Sequence, residues 1–169
     1  ISENGNTAIV GAWFEDAVVG VNTALLAGAA YIFTWSGTTW SEQQKIQASD
    51  KQAADRFGIS VSISGDGNTA IVGAENEGTT GSAYIFTWSG TTWSEQQKIQ
   101  ASDKQASDYF GYSVSISGDG NTAIVGASRE DTGGGDAGAA YIFTRSGTSW
   151  SEQQKIQASD KQASDYFGN

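Results

Sequence analysis

The chain has 169 residues, with Lys+Arg 9 against Asp+Glu 19, a formal net charge of −10, and no His, Cys, Pro or Met. It therefore lacks the usual base near neutral pH, the commonest zinc ligands, a thiol nucleophile and any disulfide, and its negative charge repels nucleic acid and anionic membrane surfaces. No apolar run approaches the roughly twenty residues of a membrane-spanning helix, which argues against membrane insertion, and no leader segment is visible.

Taken from the start, the segment GNTAIVGA at Gly5 returns at Gly67 and Gly120, and YIFT at Tyr31 returns at Tyr84 and Tyr141. The block WSEQQKIQASDKQA at Trp40 recurs unchanged at Trp93 and Trp150, and a Phe-Gly pair follows each time at Phe57, Phe110 and Phe167. The period is about fifty residues, the range of propellers and repeat arrays. Length varies only between Gly-Ala and Tyr-Ile-Phe. The expected units are 1–57, which lacks its first strand and carries a long apolar insert at 13–27; 58–110; and 111–169, which includes the start of a further strand. Since Ile1 already lies inside a repeat, the chain reads as a segment of something longer.

The third unit shows the elements in order. Phe110–Ser117 alternates, with Phe110, Tyr112, Val114 and Ile116 on one face and small residues on the other, the period of a strand packed on one side. Gly118-Asp119-Gly120-Asn121 has the backbone freedom of a tight hairpin turn. Thr122–Ala127 is apolar on both faces, as a strand buried between two layers should be, and so is Ala139–Thr144, beyond the insert. A Ser146-Gly147-Thr148 turn leads into a polar strand from Trp150, whose Glu152 and Lys155 suit a guarded sheet edge. Four antiparallel strands with two apolar inner members cannot bury both faces alone, so the units must stack face to face. The expected fold is all-β, a set of about three four-stranded β-propeller blades. Propellers close with about four to eight blades, so the ring is incomplete or is closed by oligomerisation, head to tail.

The pairing of Phe57-Gly58 with Gly73-Ala74, and of Phe110-Gly111 with Gly126-Ala127, resembles the FG-GAP repeat of integrin α-chain heads and of bacterial and algal surface proteins. Trp13, Glu75 and Ser128 stand where that signature has proline. The resemblance implies an extracellular or cell-surface propeller used for adhesion or ligand display rather than catalysis. It also implies a calcium hairpin, but the corresponding turns carry one carboxylate each, Glu3, Asp66 or Asp119, and calcium takes six to eight oxygens. Hairpin geometry is the stronger reading of those turns.

Three further features bear on function. The third insert gathers Glu130, Asp131 and Asp136 around Gly133-Gly134-Gly135, a candidate calcium cluster, although without fixed coordinating spacing a solvated loop is favoured and no cofactor is otherwise expected. The first insert alone is apolar: Trp13, Phe14, Val18, Val19, Val21, Leu25 and Leu26 form either a docking element for a partner or a flap folded over their own blade. The recurrent pairs Asp50 with Asp55, Asp103 with Asp108 and Asp160 with Asp165 read as turn residues between blades rather than acid and base, since a catalytic pair needs an environment that separates two pKa values and three identical surface turns would not supply three active sites. Trp40, Trp93 and Trp150 are expected in the core, and Trp35 and Trp88 in packing between blades. The sum is a non-catalytic structural or adhesive module of a surface or secreted protein, self-associating or binding an extracellular protein, with a glycan-binding module as the alternative.

Overall fold

The computed structural model describes residues 1–19, 22–132 and 134–169, with only the backbone of Val19 and of 22–24. Among the described residues the regular structure is all strand: β1 (Thr7–Ala12), β2 (Ala17–Val19), β3 (Asn22–Ala24), β4 (Ala29–Trp35), β5 (Trp40–Ile46), β6 (Val61–Ile63), β7 (Thr69–Ala74), β8 (Ser82–Trp88), β9 (Trp93–Ile99), β10 (Phe110–Ile116), β11 (Thr122–Ala127), β12 (Ala139–Ser146) and β13 (Ser149–Ile156). They form antiparallel sheets ordered β1-β4-β5, β6-β7-β8-β9 and β10-β11-β12-β13, with β2-β3 a separate hairpin in the first insert. These are three β-propeller blades in an unclosed ring, the first lacking its innermost strand.

Because strand side chains alternate, each blade offers one set of apolar residues backward and another forward. Ala30, Ile32 and Ile46 of the first blade meet Val72, Tyr84, Phe86 and Trp93 of the second in one core cluster. Ile71, Ala83, Ile85 and Ile99 leave the other face of the second blade to meet Val125, Tyr141, Phe143 and Trp150 of the third. The hydrophobic core is thus the two seams between blades. Trp93 and Trp150 are core residues as expected, whereas Trp40, on the face of the first blade turned away from the described seams, is exposed.

The Phe-Gly and Gly-Ala pairs work across these seams. Phe57 and Phe110 are fully buried and stack edge-on against Tyr84 and Tyr141 of the blade they open, with ring centroids 5.5 Å apart in both cases. Each glycine that follows lies against the Gly-Ala strand of the preceding blade. A Cβ on Gly73 would sit 1.9 Å from the Gly111 carbonyl oxygen, and one on Gly11 would sit 2.0 Å from that of Gly58. The two backbones approach so closely that only glycine fits.

One strand departs from the expected alternation. The β10–β11 register slips between Phe110 and Ser113, with Gly111 at φ 91°. This bulge turns Tyr112 outward, away from the buried Phe110 and Ile116. The serines of the small-residue face have a definite role: Ser60 and Ser62 accept the amides of Val114 and Ile116 in the next blade's innermost strand.

Candidate functional site

The polar fourth strand and the linker after it build a repeated latch across each seam. A bulge between Ile32 and Phe33 in the β4–β5 register skips Gln43, so Gln43 and Gln44 both point toward the following blade. Gln44 accepts the Trp93 amide at 2.7 Å and donates to the Trp93 carbonyl at 2.9 Å, while Gln43 accepts the Trp93 indole N–H at 2.9 Å. Gln97 and Gln96 repeat these bonds with Trp150. Ser49 donates its amide and hydroxyl to Glu95, as Ser102 does to Glu152. The side chains expected to guard a sheet edge therefore bind the neighbouring blade.

At the linker the latch is ionic. Lys98 Nζ lies 2.7 Å from Asp50 of the preceding linker and 2.7 Å from Glu77 of its own blade's insert, and it sits over the Tyr84 ring. Tyr84 donates its hydroxyl to Asp50 at 2.8 Å. Lys155 repeats the arrangement with Asp103, Glu130 and Tyr141. Burial favours the neutral acid at Asp50 and Asp103, but the bonds from lysine and tyrosine outweigh it and hold both carboxyls below their ordinary value. Desolvation and the hydrogen bond to the aspartate together raise the Tyr84 and Tyr141 hydroxyls.

The second aspartate of each linker has a different environment. Asp55 and Asp108 are buried and accept the amides of Gln52 and Gln105 at 2.5 and 2.6 Å, the turn-capping role read from the sequence. Desolvation, with the nearby Glu77 and Asp50 charges, pushes Asp55 up to about 6. Asp108 shifts the same way.

Glu15, Glu77 and Glu130 were missed as a set. Each stands three residues beyond the alanine of its Gly-Ala pair, closes a turn onto that alanine, and accepts a glycine amide at the far end of its insert through its own carbonyl. The Ala-x-x-Glu spacing was legible, but the inserts around it differ enough to hide it. Glu130 of the candidate calcium cluster is fully buried and engaged by Lys155, Gln157 and Thr132. Asp131 accepts the Asp136 amide at 2.8 Å instead of converging with Glu130. Among the described residues no group of three acidic side chains is placed to hold a metal ion, and Gly133 lies outside them. In the hairpin turns, Asp66 accepts from the Ser64 hydroxyl and the Asn68 amide, and Asp119 repeats this with Ser117 and Asn121.

The first insert is pinned along its return arm, where Leu25, Leu26 and Ala27 accept the amides of Ala54, Arg56 and Phe57. Phe14, Val18 and Leu25 are exposed, while Ala17 and Ala27 are buried beneath them. Trp13 packs on Phe14 with centroids 4.0 Å apart and lies under the Arg56 guanidinium, and Leu26 is half-buried. Val21 lies outside the described residues, and Val19 is described only by its backbone in β2. Trp35 and Trp88 pack on Trp40 and Trp93 of their own blades, at 5.5 and 5.9 Å; of the two, Trp88 also lies against the seam core as expected, whereas Trp35 is exposed.

Radial four-stranded sheets joined by a repeated polar latch define a β-propeller repeat protein. The model of the FG-GAP repeat matches residues 40–86 and 93–143, more than half of the chain, and the chain belongs to that family. Among solved structures, TolB from Acinetobacter baumannii is similar at 17% identity and a TM-score of 0.40, over 74% of this chain and 26% of TolB. A search of curated proteins returned no match.

Proposed function

We propose that the chain is a non-catalytic interaction module of a surface or secreted protein, with a structural or adhesive role. The carrying observation is a contrast. The repeated carboxylates of the internal seams are spent on latching blades, whereas the one insert that does not repeat holds Phe14, Val18 and Leu25 in solvent above a pinned base. Exposed apolar side chains on a rigid support mark a contact surface for another protein. Like blades presented together add weak contacts through effective concentration, and self-association through blade faces belongs to the same reading. Membership of the FG-GAP repeat family supports a binding role and an extracellular setting.

The test is binding of the chain to arrays of extracellular proteins and of glycans, alongside the triple variant F14S/V18S/L25S. Protein binding that falls at least tenfold in the variant supports the reading. Binding confined to glycans and abolished by Trp35→Ala would establish the lectin-like alternative, since Trp35 is the exposed member of its equivalent pair.

A further inference from the structure

The seam between the first two blades is not closed along its whole length. A cleft of about 630 Å³ opens in it, within the range of small-molecule sites, about 300–1,000 Å³. One wall is the Asn6–Thr7 entry to β1, the end of β4 and Gln43 of β5; the other is the Asn68 entry to β7, Trp88 of β8 and Trp93 of β9. Both walls belong to an internal seam, so neither is a face left bare at an end of the stack. The cleft sits at the Thr7 end of β1, whereas the first insert leaves from the Ala12 end. No ionisable side chain lines it, in a chain with 9 basic and 19 acidic residues. No alanine, valine, leucine or isoleucine lines it either, so an apolar peptide side chain finds no matching wall.

What the cleft offers is a braced indole among neutral hydrogen-bonding groups. Trp88 is partly buried against the seam core and packs on Trp93 with ring centroids 5.9 Å apart, and Trp93 is fixed in turn by Gln43 and Gln44. Gln43 spends its carboxamide oxygen on the Trp93 indole N–H at 2.9 Å, and its two N–H donors have no partner among the described residues. Asn68 donates to Asp66 at 3.1 Å, and its carboxamide oxygen has no partner there. A pyranose ring has the matching chemistry: a face of C–H groups that packs on an aromatic ring, and hydroxyls that both donate and accept. The second seam supplies a comparison within the molecule. Every residue that lines the cleft recurs at its equivalent position there, Gln43 as Gln96 and Asn68 as Asn121 for example, except that Arg145 stands in place of Trp88. Arg145 turns its guanidinium to the Gly147 carbonyl at 2.8 Å. The same surroundings accept an arginine, so packing of the seam does not demand the Trp88 indole. From these observations we propose that the cleft binds a neutral saccharide, one pyranose ring stacked on Trp88 with its hydroxyls held by Gln43, Asn6 and Asn68. The site is separate from the first insert, so it adds a ligand to the interaction-module reading without depending on it. Trp35 borders the cleft, but its ring packs on Trp40, away from the seam.

The experiment is calorimetric titration, with saturation-transfer NMR, of the 169-residue chain against glucose, galactose, mannose, xylose, maltose, cellobiose and lactose, and against glucuronate and glucosamine as charged counterparts. The proteins are the wild type, Trp88→Arg, Arg145→Trp, Trp35→Ala and F14S/V18S/L25S, each checked for folding by circular dichroism. The expected result is a wild type that binds a neutral sugar at one site per chain and more tightly than either charged one. Trp88→Arg, which installs the residue its equivalent position already carries, weakens binding at least tenfold. Arg145→Trp completes the same set in the second seam and raises the stoichiometry to two, a gain that loss of folding cannot imitate. The proposal is overturned by a wild type that binds none of the neutral sugars, by tighter binding of a charged one, or by folded Trp88→Arg and Arg145→Trp proteins that both behave as wild type. Binding abolished by Trp35→Ala but kept by Trp88→Arg overturns it too, since the sugar then lies on the other face of the first blade. F14S/V18S/L25S keeps saccharide binding, so a loss of protein binding in that variant bears on the module reading alone.

Discussion

Gly73→Ala tests the physical basis of the Gly-Ala and Phe-Gly signature. A Cβ at Gly73 would lie 1.9 Å from the Gly111 oxygen, 3.0 Å from its carbon and 3.4 Å from Val114 Cγ1. Ordinary contact begins at about 3.4 Å, so the second and third blades must separate by about 1.5 Å at that point, and the obstacle is backbone rather than a side chain able to rotate away. Forcing volume into a packed seam costs about 1–3 kcal/mol, more where the backbone must move. The loss should therefore reach at least about 3 kcal/mol, which lowers Tm by roughly 6–12 °C for a chain of this size. Gly135→Ala is the control, since nothing lies within 4 Å of its Cβ position, and it should stay within about 0.5 kcal/mol of wild type. Gly126→Ala falls between them, because the carbonyl it would strike, at 1.9 Å, belongs to Gly168 at the end of the strand path. Urea unfolding of the three variants decides the matter. A Gly73→Ala protein within about 1 kcal/mol of wild type would refute the claim that the signature exists for backbone approach.

Two further predictions concern the seams. Asp55 has an ordinary value of 3.8 and is pushed up to about 6 in the fold, so the folded state prefers its neutral form. Its contribution is complete below pH 3.8, fades as pH rises through 6, and is absent above that. Asp55→Asn keeps an acceptor for the Gln52 amide, so it should stabilise the chain by up to about 3 kcal/mol at about pH 8 and by almost nothing at about pH 3.5; an equal effect at both pH values in urea titrations would contradict the assignment. Trp93→Ala, at a buried seam, should cost about 3–5 kcal/mol. Trp40→Ala, at a position that is exposed in the structure, should cost less than half as much, and equal losses would show that Trp40 is core after all.

Much of the fold was legible because it is written three times. The recurrence of Thr-Ala-Ile-Val-Gly-Ala and Tyr-Ile-Phe-Thr, apolar on both faces, left face-to-face stacking as the outlet for that surface, and the three blade sheets use it at their two seams. Tyr112 was misplaced because the bulge leaves Gly111 and Tyr112 outside the ladder between Phe110 and Ser113, and a period of two cannot reveal where the count slips. Glu130 was read into a solvated loop, yet it is buried against Lys155, because neighbouring residues in a sequence say nothing about a lysine that arrives from a strand 25 residues later. The same blindness made the polar fourth strand look like edge protection alone: Gln43, Gln44 and Ser49 have partners in the next unit, about fifty residues away, and identical repeats carry no mark of which copy binds which.

The unit, its strand order, its family resemblance and the exclusion of histidine and cysteine chemistry can be read from the residues alone, because hydrophobic period, turn residues and composition are local properties. Which carboxylates latch blades and which lie in solvent, and which tryptophan of three identical ones is uncovered, emerge only from the tertiary arrangement. Three copies of the same residues acquire different burial and different partners only once they are placed side by side.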